Sequence, residues 1–241
     1  MNADRKTAIT VGVLFLLSAT TYGVGSSFFA SVLYASDYLT TFSTITTRVM
    51  VGMLFEMVTA ISVVGIPVML YPILKKHSSV IAIGFLSFRI IEAVMIIVSE
   101  VFLLSLLTLS TEFVKSGAQD VSHFQTLGTL LITGRYWTCD MVLFPLAVAY
   151  LMLFYLLFTR KLVPCWISIW GLVGITSFLI AILLGLFDYN PGMFQKFEDN
   201  LAIFMGLPGA LSEIVLAIWL IFKGFNTSQI SLPSVNGPNN S

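Results

Sequence analysis

The chain has 241 residues, of which 57% are apolar or aromatic and 10% charged, and its mean hydropathy is +0.96. A soluble domain carries about 25% charged residues, so a water-soluble globular fold is excluded. Twelve lysines and arginines balance twelve aspartates and glutamates, which leaves no basic field to hold nucleic acid.

A helix needs about 20 apolar residues to cross a hydrocarbon core of ~30 Å. The first run of that length covers residues 8–30. Arg5 and Lys6 before the short core 8–18 also fit a signal peptide. Apolar character resumes over residues 28–34 without a small-x-small cleavage site, however, which fits a retained helix carrying the small-residue patch from Gly23 to Ser27. A polar, Thr-rich stretch over residues 36–47 separates it from a second span at 49–70. A third span covers 80–109, and a fourth ends at Phe158 after starting between Leu127 and Trp137. The fifth and sixth cover 166–187 and 201–222. The expected fold is all-α: a polytopic membrane bundle of about six helices forming one domain over residues 1–225. Residues 226–241, rich in Asn, Ser and Pro, read as a disordered tail.

Orientation follows from the basic residues in the connections. Arg5, Lys6, Lys75, Lys76, Arg160, Lys161 and Lys223 fall on one face, and Arg48, Lys115 and Lys196 on the other. Both termini, and with them the tail, are therefore expected in the cytoplasm, with the spans in the cell inner (plasma) membrane. An even number of spans is required for that arrangement.

Several membrane chemistries lack the residues they need. His77 and His123 are expected in loops, so no histidine pair can hold a haem between helices. Every lysine lies near a helix end or in a loop, which removes the amine of an intramembrane Schiff base. Asp140 is the sole aspartate well inside a span, so an aspartyl dyad has no second member. Cys139 and Cys165 sit in or beside apolar runs and read as free thiols. No metal site and no cofactor is expected, and the sequence points away from an enzyme of these kinds.

Seven ionisable residues nevertheless fall within the spans: Glu56, Arg89, Glu92, Glu100, Arg135, Asp140 and Glu213. Each isolated charge costs about 2.5 to 3.5 kcal/mol at the bilayer centre, so these groups should face one another or an aqueous cavity. Arg89, Glu92 and Glu100 fall within about 80° of arc on one helix. Glu213 shares a stripe with Gly206, Ala210 and Ala217, and Glu56 shares one with Gly52, Thr59 and Ala60. Estimated depths group Glu56, Arg89, Glu92 and Glu213 as one polar site and Glu100, Arg135 and Asp140 as a cluster nearer the outside. Arg89 is expected to be held by Glu92 and Glu213. Two arginines cannot neutralise five carboxylates, so at least one of Glu56, Glu92 and Glu213 should be protonated or cation-bound at neutral pH. Pro145 and Pro208 lie near these groups, where transporter half-helices break.

Distinct motifs flank this charge. They run from Glu56 through Val64-Gly65-Ile66 to Leu70-Tyr71-Pro72-Ile73-Leu74-Lys75, then Phe88-Arg89-Ile90-Ile91-Glu92-Ala93. Leu162-Val163-Pro164 and Trp166 through Gly171-Leu172 follow, and then Pro208, Glu213, Trp219-Leu220-Ile221 and Lys223-Gly224-Phe225. Over residues 8–225 the chain thereby resembles a family of bacterial six-pass membrane proteins catalogued as domain of unknown function 4386. Cys165 stands where that pattern has a basic residue. The resemblance implies the six-span architecture and no activity or ligand. Handling of a small molecule, proton or cation through the carboxylate and arginine cluster is the leading expectation. A lipid-modifying enzyme and a structural or accessory subunit are the alternatives. Membrane lipid is the expected surrounding partner, and the oligomeric state stays open.

Overall fold

The computed structural model describes residues 3–117, 120–187 and 200–226. These residues form eight helices and no strand. The helices are α1 (Ala3–Ser27), α2 (Ala30–Leu33), α3 (Tyr38–Thr44), α4 (Thr46–Lys75), α5 (Ser79–Lys115), α6 (Val121–Thr159), α7 (Cys165–Phe187) and α8 (Asn200–Phe222). All but α2 and α3 are long and apolar enough to cross a membrane. The expected tail at 226–241 lies outside the described residues, apart from Asn226.

The long helices pack in chain order, α1 on α4, α4 on α5, and so on to α7 on α8. Helix α8 then returns to α1 and closes a ring. Outward faces carry exposed Leu54, Ile61, Val68, Val101 and Val173, as a hydrocarbon solvent requires. Without a hydrophobic force between helices in lipid, close approach does the joining, and the seams carry small residues. A Cβ on Gly25 of α1 would lie 2.8 Å from the Gly52 carbonyl oxygen of α4, and one on Gly52 2.7 Å from that of Gly25. One turn along, the Thr21 and Thr59 hydroxyls hydrogen-bond at 2.7 Å. A Cβ on Gly174 of α7 would lie 2.8 Å from the Gly209 nitrogen of α8. The last turn of α8 is tied to α1 by Arg5, which donates to the carbonyls of Leu220 (3.0 Å), Ile221 (2.6 Å) and Phe222 (2.9 Å).

Several helix ends differ from the hydropathy boundaries. Helix α1 stops at Ser27 rather than continuing to residue 30, because the chain turns at Phe28 and Phe29 into the short α2. The Thr-rich stretch holds α3, whose Leu39 and Phe42 are buried one turn apart. Local hydroxyl bonds such as Thr41 to the Asp37 carboxylate (2.8 Å) support it. Ser110 of α5 pins α3 by donating to the Leu39 carbonyl (2.6 Å) and accepting from the Ser43 amide (2.8 Å). Helix α6 begins at Val121, earlier than expected, so His123 lies in its first turn and not in a loop. At ~1.5 Å per residue α5 and α6 span roughly 55 to 60 Å, so their ends outreach the hydrocarbon core together with α3. Helices α6 and α8 run through Pro145 and Pro208 without a break.

Candidate functional site

Helix α5 brings Arg89, Glu92, Ile96, Ser99 and Glu100 to its buried side, a stripe that faces the interior of the ring. Two layers of charge result. In the first, Arg89 is 1% exposed and donates through Nη1 to Glu92 Oε2 at 2.9 Å and Oε1 at 3.2 Å. Its Nε reaches the Val63 carbonyl at 3.4 Å, and the guanidinium carbon sits 5.1 Å from the centre of the Tyr150 ring. In the second layer, Arg135 donates through Nη2 to both carboxylate oxygens of Glu56 at 3.0 Å. Its Nη1 reaches Glu100 at 2.7 Å and the Ser99 carbonyl at 2.9 Å, with the Phe29 ring centre 4.9 Å from the guanidinium carbon.

This grouping corrects the expected one. Glu56 belongs with Arg135 and Glu100, not with Arg89. The reason is helix length: α4 runs on to Lys75, past the expected end at residue 70. From the helical rise per residue, Glu56 lies about 28 Å from the end of α4, and Glu100 lies about 32 Å from the start of α5. The same rise puts Arg89 only about 15 Å in from Ser79, and Glu213 only about 14 Å in from Phe222. The expected Arg89–Glu92 contact is present, whereas no ion pair joins Arg89 to Glu213. Asp140 is buried on α6, one residue beyond Cys139.

Beside the first layer, and reaching Ser99 at the second, lies a cavity of about 430 Å³, within the range of small-molecule sites. Arg89, Glu92, Tyr150 and Glu213 line it, and so does Ser99, whose hydroxyl is 3.3 Å from Glu100 and 3.4 Å from Arg135 Nη1. Ala19 and Gly23 of α1 border it and are exposed, so the cavity is open on that side. The walls are apolar, with Val142, Leu143 and Leu146 contributed by α6. Each layer holds one arginine and two carboxylates, so each has one acid more than it can neutralise.

Sequence reasoning missed Tyr150 and Phe29. Tyr150 had a signal, since Arg135, Cys139, Val142, Leu146 and Tyr150 recur at helical spacing along α6. Phe29 had none, because its place under Arg135 depends on the turn that ends α1.

A closed ring of six apolar helices with arginine–carboxylate clusters in its interior defines a multi-pass membrane protein with a buried polar site. Residues 10–224 match the family described as domain of unknown function (DUF4386), and the chain belongs to that family. Comparison with curated proteins and with solved structures finds no match.

Proposed function

We propose that the protein handles a small molecule or cation inside the membrane, at the cavity floored by Arg89, Glu92 and Glu213, with proton exchange at the surplus acid. The observation that carries this reading is the coincidence of a cavity of about 430 Å³ with one arginine and two carboxylates. An ion pair that only fixes helix register needs neither a cavity nor a second acid. The same reading puts both termini in the cytoplasm of a bacterial inner membrane. It is supported by the seven lysines and arginines at the face holding Arg5, Lys75, Arg160 and Lys223 against three at the other.

Mass spectrometry of small molecules retained by the purified protein tests the reading, with Leu146→Trp as the variant that fills the cavity away from the charges. A compound held by the wild type and lost from the variant is expected. Equal retention by both, or by neither, would set the reading aside in favour of a scaffold.

A further inference from the structure

We infer that the cavity takes a hydrophobic organic cation, an amine whose ammonium pairs with Glu213 while its apolar body lies along α6. The inference rests on the small-molecule reading above and names the chemistry of the ligand. Arg89 is already engaged: Nη1 and Nε are taken by Glu92 and Val63, and the guanidinium stacks on Tyr150. Glu213 lines the same space, stays partly exposed to it, and makes no ion pair among the described residues. The second pointer is Tyr150, which is 3% exposed and lies on the cavity wall. Its hydroxyl lies beside Glu213 and the Arg89 guanidinium, close enough to interact with both side chains. An ammonium at Glu213 neutralises the surplus acid, and the neighbouring phenol oxygen can accept another of its hydrogen bonds.

Other ligand classes fit less well. An anion would enter between two carboxylates, next to an arginine already engaged. A hard metal ion needs about six oxygen ligands, whereas no three His, Cys, Asp or Glu side chains converge among the described residues. The walls of Ile96, Val142, Leu143 and Leu146 favour an apolar body, and the exposed Ala19 and Gly23 border leaves an entry for an amphiphile.

The test uses the full chain in nanodiscs of uncharged lipid and three matched probes: 4-phenylbutylamine, 4-phenylbutanol and 4-phenylbutyrate. Binding is read by saturation-transfer NMR. The amine should bind best, lose about tenfold or more in affinity with Glu213→Gln, and lose less with Tyr150→Phe, as expected for a charge-assisted contact and a neutral one. Tyr150→Phe keeps the ring under Arg89, so it reports even if Glu213→Gln fails to fold. If the alcohol or the carboxylate binds as tightly as the amine and Leu146→Trp abolishes all three, the cation inference fails while the cavity reading survives. Amine binding indifferent to both Glu213→Gln and Tyr150→Phe also overturns the inference. If no probe binds, or Leu146→Trp changes nothing, both fall.

Discussion

Arg135 and Glu56, 79 positions apart in sequence, meet as a fork: one guanidinium nitrogen lies 3.0 Å from each carboxylate oxygen, and the other reaches Glu100 at 2.7 Å. One side chain therefore ties α4, α5 and α6 together within the ring. Removing one partner of a buried pair costs about 3 to 5 kcal/mol, so Arg135→Met should destabilise the protein by about that much. Arg135→Lys should rescue little, because an ammonium cannot present the planar two-pronged donor set. Thermal unfolding in a mild detergent measures both. Full rescue by lysine would show that charge alone, and not the fork, joins the helices.

The first layer is tested by comparing two double-mutant cycles. Arg89 touches Glu92 at 2.9 Å, whereas Glu213 lines the same cavity without an ion pair to it. Contacting groups couple by about 0.5 to 3 kcal/mol. The cycle of Arg89→Ala with Glu92→Gln should reach that range, and that of Arg89→Ala with Glu213→Gln should be smaller. Equal coupling in the two cycles would restore Glu213 to a direct pair with Arg89.

Fold class and the six spans were legible because hydrocarbon thickness imposes a length that composition alone reveals. The membership of the two charge layers was not. A depth counted from the hydropathy edge at residue 70 misplaces Glu56, because α4 continues to Lys75. The extra turn and a half moves Glu56 by roughly 7 Å along the helix axis. Hydropathy sees where lipid contact ends and not where the backbone ladder ends. Helix α3 escaped for a related reason: its hydroxyls bond to nearby backbone and to Asp37, and its apolar pair Leu39 and Phe42 is too short to register as a span. The Arg89–Glu92 contact was readable because one turn of a single helix fixes it.

Orientation can be checked without purification. The proposed orientation, with both termini inside the cell, rests on seven basic residues on the face of Arg5 and Lys223 against three opposite. A periplasm-dependent reporter such as alkaline phosphatase, fused after Ser241, should be inactive. Fused within the connection between α5 and α6, next to Gly117, it should be active. The reverse pattern would invert the topology and with it the side from which the layers are counted.

At the basic end of the ring one side chain ties α1 to the last turn of α8, beside the close approach of Gly12 to Ala217. Arg5 of α1 donates to three successive carbonyls, Leu220, Ile221 and Phe222, at the end of α8. A helix leaves its last carbonyls without partners and carries partial negative charge there, so a guanidinium satisfies both needs at once. Just beyond, Gly224 holds a φ of +77° and ends the helix, and a Cβ there would lie 2.9 Å from Arg5 Nη1. Arg5→Ala should destabilise the protein by about 1.5 to 3 kcal/mol, the range for hydrogen bonds to a charged group, and towards the lower figure because part of this contact is exposed. Gly224→Ala should cost about 1 to 3 kcal/mol through its left-handed backbone. Hydrogen exchange localises the effect: amides over residues 217–224 should exchange faster in Arg5→Ala, while those around Arg89 on α5 keep their protection. Unchanged exchange at the end of α8 would mean that the seam of Gly12 against Ala217, and not Arg5, holds the ring shut.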